Sequence, residues 1–344
     1  MTKDFTLSID MLGSETKLKD ILEGLNQSLL RNLNYKFKLY GSEKAIQNSI
    51  HKYKRLLEVS EIIDCNSYIS MNDKPSEVLK AKDNSSMLLA IKSVSDKTSD
   101  AVLSFGNTGA LMSLSLLNIR TLNGIRRPAI ASIWPNTKGD SVVLDLGANM
   151  KLDARYLIDN SILGSSLASI LFKIDNPSIG LLNVGIEDNK GKEEIKIASE
   201  KLRELSKKYN INYHGYIEGN DISIGKTNVV VTDGFTGNIS LKTAEGTAKL
   251  FQSHLNDAFR SSIISRMGYF LSSLAMKSVK DRLDPRVHNC GIMVGLNALA
   301  VKCHGQSEYR GVSYAADIIY SLLENNVNKK IQHYVDEIQN RLVD

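Results

Sequence analysis

Several short segments combine small, polar and charged residues in ways that can hold an anion or move a proton. In Ser104-Phe105-Gly106-Asn107-Thr108-Gly109-Ala110-Leu111, an apolar run ends in a small-residue turn and a helix begins at once. Free N–H groups at such a helix start bind anions, and Gly106 and Gly109 let the anion approach closely. Asn107 and Thr108 add short hydrogen-bonding side chains, although Asn and Thr also serve simply as helix caps. A second junction, Thr232-Asp233-Gly234-Phe235-Thr236-Gly237-Asn238, follows the run Val229-Val230-Val231. Lys242 lies one helical turn beyond Asn238 on the same face, where it can meet an anionic substrate or simply be solvated.

Three further clusters carry candidates. In Leu144-Asp145-Leu146-Gly147-Ala148-Asn149, an ionised Asp145 would repel phosphate, so its expected role is to orient Asn149, a lysine or a backbone amide. Asn183 and Lys190 bracket a glycine turn after the run ending at Val184. Lys302-Cys303-His304-Gly305 follows the apolar run 293–301, and His304 is a candidate general acid or base or a structural hydrogen-bonding residue. In open α/β sheets ligands sit at the carboxyl ends of strands, so these turns are expected to converge at the sheet's rim.

Other patterns fail on spacing. Gly219 to Thr227 imitates a phosphate-binding loop with one residue too many between its glycines, and Gly185 to Lys192 shares the fault. His288-Asn289-Cys290 with Cys303-His304 does not have the spacing of a zinc module. No G-x-G-x-x-G follows the first strand, which disfavours the usual nicotinamide enzyme. No metal and no cofactor are expected.

The elements that must position these loops alternate. Runs at 6–9, 36–40, 101–105, 179–184 and 229–232 read as strands. Stretches at 17–33, 42–57, 108–120, 191–209 and 237–259 read as helices. Residues 129–134 and 141–146 flank Pro135-Asn136-Thr137-Lys138-Gly139-Asp140, a hairpin signature that makes the sheet mixed. This is a doubly wound α/β pattern, taken as one domain over 1–344 with a helical excursion at 255–285. The 344 residues, 42% apolar and 24% charged, are ordinary for a folded chain. A net charge of +5 permits an anionic partner, but no basic-aromatic patch points to nucleic acid. Three sparse cysteines form no disulfide framework and suit a reducing cytoplasm. No signal peptide or bilayer-length apolar run is visible.

Together the loops resemble the bacterial phosphate acyltransferase family. The matching pieces run nearly end to end: Ile9-Asp10-Met11-Leu12-Gly13, Phe105 to Met112, Arg127-Pro128-Ala129, Leu144 to Asn149, Gly180 to Gly185, Lys190-Gly191, Asp233 to Thr243, and Lys302 to Gly305. Two departures stand out. The family's Asp-Ala-Met-Gly-Gly-Asp opening is Asp10-Met11-Leu12-Gly13-Ser14-Glu15 here, and its Tyr-Gly-Gly-Ala-Pro stretch is His288-Asn289-Cys290-Gly291-Ile292. The resemblance implies a three-layer α/β/α sandwich with a mixed, mostly parallel sheet, similar to isocitrate and isopropylmalate dehydrogenases and phosphotransacetylases.

It also implies formation of acyl phosphate from acyl-[acyl-carrier-protein] and inorganic phosphate, feeding a membrane glycerol-3-phosphate acyltransferase in phospholipid synthesis. The expected organisation is a cytoplasmic homodimer. Phosphate contacts fall to Asn107, Thr108 and Gly109 beside Gly106, with Lys190 or Lys242 supplying charge. Asn149, Asn183 and Asn238 are orienting or oxyanion donors, with Gly234 in the same loop set. His304 is the proton donor to the thiolate, and Asp10, Asp145 and Asp233 orient the rest. Residues 260–283 mix exposed-type apolar side chains with Arg260, Arg266, Lys277, Lys280 and Arg282. That mixture suits peripheral membrane contact, an acyl-chain tunnel, acyl carrier protein, or a helical hairpin at a dimer interface. Competing readings are a phosphotransacetylase using coenzyme A thioesters, or a non-catalytic homologue binding acyl carrier protein or membrane.

Overall fold

The computed structural model describes residues 4–32, 34–74, 78, 84–277 and 290–340. Among them, β1 (Phe5–Asp10), β2 (Tyr35–Gly41), β3 (Ser60–Asp64), β4 (Ala101–Ser104), β5 (Ala129–Asn136) and β6 (Gly139–Leu144) join one sheet. The same sheet takes β7 (Ile179–Leu182), β8 (Tyr213–Ile217), β9 (Val229–Val231), β10 (Cys290–Val294) and β11 (Leu299–Cys303). The strand order is β3-β2-β1-β4-β11-β10-β5-β6-β9-β7-β8. The sheet is mixed: β10 is antiparallel to β11 and β5, β5 is antiparallel to β6, and the other neighbours are parallel.

Two hairpins therefore reverse the sheet. The carboxyl ends of β4 and β11 lie at the opposite edge from those of β6 and β9, so the chemistry-bearing turns do not share one rim. The β5–β6 hairpin turns at Thr137-Lys138 with Gly139 at φ +142°, a conformation that a side chain disfavours. The β10–β11 hairpin hides in the apolar run 293–301, where Gly295, at φ +91°, and Asn297 mark the turn.

Side chains alternate across every strand, so each face builds its own core. One face carries a continuous cluster: Leu7, Ile9, Leu103, Val301, Ile292, Ala131, Leu144, Val231 and Leu181 pack against helices Leu18–Arg31, Ala154–Phe172, Glu193–Lys208, Tyr309–Glu324 and Val327–Asn340. The other face carries two separate clusters. Val102, Ala300 and Met293 pack with helices Ser86–Ser95 and Thr108–Asn118. Ile130, Val143, Val230 and Leu182 pack with Ile222 of the short helix Gly219–Ile224. This is a three-layer α/β/α sandwich.

Several elements differ from the sequence reading. The 42–57 stretch breaks into helices Glu43–Ile50 and Lys54–Glu58. Helix Ala154–Phe172 escaped the amphipathic reading because it is buried around most of its circumference from Tyr156 to Ala168. The long helix runs Gly234–Arg260; Gly234 and Gly237 are its buried residues, and its next turns still border the cleft through Asn238, Leu241 and Lys242. Helix Ile263–Leu271 follows with no buried residue. Residues 255–277 of the stretch expected to form a helical excursion lie in the end of the long helix and in the helical turns that follow it. Lys280, Arg282, Leu283, His288 and Asn289 lie outside the described residues.

Candidate active site

The cleft lies in the gap between the two clusters of the second face. Lys302 on β11 pairs with Ser104 on β4 and with Gly291 on β10. Gly291 and Ser132 each lie one residue beyond the Ile292–Ala131 pair that joins β10 to β5. This row of small and polar residues cannot fill the space that apolar side chains fill on either side. What remains is a cavity of about 220 Å³ lined by Thr108, Ser132, Gly147, Asn238, Lys242, Gly291, Lys302 and His304, with Ile130, Leu146 and Leu241 as apolar wall.

Local rules place each group. Asn107 caps helix Thr108–Asn118 by accepting from Ala110 N at 3.0 Å, and its Nδ2 donates to the carbonyls of Ser70, Met71 and Asp73. Its side chain is thus spent on scaffolding, while Thr108 faces the cleft. The first-turn N–H groups of Thr108 and Gly109 have no intrahelical acceptor by position. Gly106 supports this turn: its N–H donates to Ser104 Oγ, and a Cβ there would lie 2.7 Å from Met87 Cε. Asp10 is fully buried beneath, accepting from Ser86 Oγ at 2.6 Å and Ser104 Oγ at 2.7 Å, and burial raises its pKa.

Asp145 is the hub of the opposite wall. Its Oδ1 accepts from the N–H groups of Ile130, Gly147 and Ala148 at 3.1, 3.1 and 2.9 Å. Its Oδ2 accepts from Asn149 N at 2.7 Å and Tyr156 Oη–H at 2.8 Å. The fully buried carboxylate therefore shapes Gly147, a cleft residue, without facing ligand. The start of helix Gly234–Arg260 presses directly on this hub. A Cβ on Gly234 would meet Asn149 O at 2.6 Å, and one on Gly237 would meet Asp145 O at 1.9 Å. Only glycine permits that approach, and it brings Asn238 and Lys242 to the cleft. Asp233 caps the helix, accepting from the N–H groups of Phe235 and Thr236 at 3.0 Å each.

The cleft is electropositive. Lys242 is 52% exposed and pairs with Glu245 at 2.8 Å. Lys302 is buried, and its Nζ donates to the carbonyls of Phe105 and Cys303. Burial pulls its pKa down to about 8, partly countered by Cys303 and Asp10. Burial, Lys242 and Lys302 together push His304 below the usual imidazole value. His304 Nδ1 accepts from Gln306 N–H at 3.2 Å, which leaves Nε2 to carry the proton of the neutral ring. Burial raises the thiols of Cys290 and Cys303, so neither is a ready thiolate. The altered opening loop touches the His304 turn: Gln306 Nε2 donates to Glu15 at 2.6 Å and Thr16 Oγ1 to Gly305 O at 3.1 Å.

The structure thus gathers Thr108, Asn238, Lys242 and His304, backed by Gly106, Asn107, Asp10, Asp145, Asp233 and Gly234. Asn149 is turned away behind the wall, its Nδ2 donating to Pro128 O and Tyr156 Oη. Asn183 is not brought to this cleft. It lines a second cavity of about 400 Å³ with Leu152, Leu181, Ile195, Val231, Asp233 and Thr236, on the other side of the helix start. Its Nδ2 holds the carbonyls of Gly185 and Lys190, and Lys190 itself is exposed in that loop. Lys302 is the residue that sequence reading passed over. A charged side chain inside an otherwise apolar strand was the available signal, because buried charge is costly unless it is used or paired.

Known proteins match nearly the full length of the chain. The model of the fatty acid synthesis protein family matches residues 5–330. The phosphate acyltransferase of Xanthobacter autotrophicus is 41% identical over 333 residues, covering 96% of this chain and 93% of its own. That of Rhizobium meliloti is 40% identical over 327 residues, covering 95% and 94%. The chain belongs to this acyltransferase family. Among solved structures, a phosphotransacetylase from Streptococcus pyogenes matches with TM-score 0.59 at 16% identity, covering 95% of this chain and 94% of that one. A 4-hydroxythreonine-4-phosphate dehydrogenase from Klebsiella pneumoniae matches with TM-score 0.52 at 10% identity, covering 94% and 99%. These establish the fold, shared by phosphotransacetylases and dehydrogenases of this type.

Proposed function

We propose that this chain is a phosphate acyltransferase that converts acyl-[acyl-carrier-protein] and inorganic phosphate into acyl phosphate, the acyl donor for glycerol-3-phosphate acylation in phospholipid synthesis. The observation that carries this reading is the single electropositive cleft in which a helix start, Asn238, two lysines and a neutral histidine meet beside an apolar wall. Phosphate is already a nucleophile, so catalysis requires placement against the thioester carbonyl and stabilisation of the tetrahedral oxyanion. The helix start at Thr108 and Gly109 with Lys242 suits the phosphate. Asn238 and His304 Nε2–H suit the oxyanion.

The excursion suits peripheral association, with acyl carrier protein as the other anionic partner. Ile263, Ile264, Phe270, Leu271 and Leu274 are each more than three-quarters exposed, beside Arg260 and Arg266. Among the described residues no helix is long and apolar enough to cross a membrane. Flotation with anionic vesicles at low salt is the expected result for the cytoplasmic homodimer, and failure to float removes the membrane contact.

The activity is tested by supplying acyl-[acyl-carrier-protein] and the matching coenzyme A thioester separately, each with phosphate. Preference for the carrier-protein thioester supports the reading. Preference for coenzyme A makes the protein a phosphotransacetylase. Carrier protein binding without turnover makes it a non-catalytic homologue.

A further inference from the structure

Apart from the thiols of Cys290 and Cys303, which burial keeps protonated, the cleft contains three groups able to carry a proton, and their surroundings assign them different work. His304 is half-buried beside two lysines, and with Nδ1 accepting from Gln306 N–H it offers a hydrogen bond from a neutral ring rather than a spare proton. Lys242 stands half in solvent, paired with Glu245. Lys302 differs from both. It is 8% exposed, projects from β11 into the cleft, and has no carboxylate within ion-pair distance among the described residues. Asp10, which faces it from β1, has its carboxylate occupied by the Ser86 and Ser104 hydroxyls. The two carbonyls that hold Lys302 Nζ belong to Phe105 and Cys303, next to the turns that carry Thr108 and His304. The ammonium is therefore anchored between the phosphate-binding turn and the histidine turn.

We propose that Lys302 is the proton donor to the leaving thiolate, a role that rests on the phosphate acyltransferase reading of this cleft. Attack by an oxygen of the phosphate dianion forms the C–O bond. Collapse of the tetrahedral intermediate breaks the C–S bond and leaves the electron pair on sulfur. The Lys302 ammonium gives its proton to that sulfur, and the remaining hydroxyl proton of the phosphate passes to the Lys302 amine. Thiol and acyl phosphate dianion leave, and the ammonium is restored. Burial makes this exchange accessible near neutral pH, because it draws the ammonium down to about 8, close to the range of a thiol. Asp10 and Cys303 oppose that displacement, and Lys242 assists it.

The test compares Lys302→Met and Lys302→Arg with the unmodified protein on acyl-[acyl-carrier-protein] and on the matching thiophenyl ester, whose aryl thiolate leaves without a proton. On the carrier-protein thioester both variants should lose about 100-fold or more in kcat, the usual worth of a positioned acid. On the thiophenyl ester the fall in kcat should be at least about tenfold smaller in each variant, because no proton is needed by the leaving group there. The result is a ratio within each variant, so partial loss of folded protein cancels. Equal falls on both esters would overturn the proposal by giving Lys302 a structural role. Full kcat of Lys302→Arg on the carrier-protein thioester would overturn it in favour of a fixed positive charge. If the unmodified protein forms no acyl phosphate from either ester, the phosphate acyltransferase reading fails with it.

Discussion

Replacing Asp145 by Asn changes one atom type at the most heavily used carboxylate of the site. Oδ1 receives three backbone N–H groups, and Oδ2 receives Asn149 N–H and the Tyr156 hydroxyl. An asparagine must turn an NH2 toward one of these sets. The less damaging choice faces Oδ2, where Tyr156 can rotate its hydroxyl and accept. Asn149 N–H then opposes another donor with no water to turn to, since Asp145 is fully buried. A hydrogen bond to a charged group contributes about 1.5–3 kcal/mol, and leaving a buried donor unmet adds a similar cost. The expected destabilisation is about 3 kcal/mol. For a chain of this length, with an unfolding entropy of about 0.7 kcal/mol/K, that lowers Tm by roughly 4 °C. Gly147 should also shift, lowering kcat more than it raises KM for phosphate. Differential scanning fluorimetry with steady-state kinetics reads both effects. An unchanged Tm together with unchanged kcat would refute the assignment of Asp145 as the hub that shapes the cleft wall.

Further outcomes follow from the same geometry. Lys242→Ala should lower acyl phosphate formation by more than about tenfold if its charge acts on the reacting phosphate, as phosphate-saturation kinetics will show. Gly237→Ala puts a methyl 1.9 Å from Asp145 O, a backbone atom that cannot yield, so urea denaturation should show a loss above about 2 kcal/mol. His304 is held below its unfolded value, so the unfolded chain binds its proton first as the solution is acidified. Stability should therefore fall as pH drops through about 6.5, and His304→Gln should flatten that part of the curve measured by denaturation between pH 5 and 8.

Turns were the legible part of this molecule. Gly234 and Gly237 mark places where backbone meets backbone, and Gly106 one where it meets the Met87 side chain; these glycines point to Thr108, Asn238 and Lys242 from sequence alone. The strand that leads into His304 is visible in the sequence only as part of an apolar run, so the β10–β11 hairpin and the reversal it imposes stay hidden there. That reversal is why the turns meet over a sheet face rather than along a rim. Asn107, Asp145, Asn149 and Asp233 illustrate a different limit. Their residue types suit ligand binding and capping equally, and only their hydrogen-bond partners show that they serve the scaffold. For Lys302 the sequence offers the oddity of a charge in an apolar run, but its burial and cleft position follow from the sheet register.

In the proposed reaction, inorganic phosphate and a fatty thioester meet in the cleft between Thr108, Asn238, Lys242, Lys302 and His304. Phosphorus NMR of the protein with acyl-[acyl-carrier-protein] under increasing phosphate tests it most directly. The expected spectrum shows an acyl phosphate signal that grows in proportion to thioester consumed and saturates with phosphate. Thioester loss that ignores phosphate, or no loss at saturating phosphate, would contradict it.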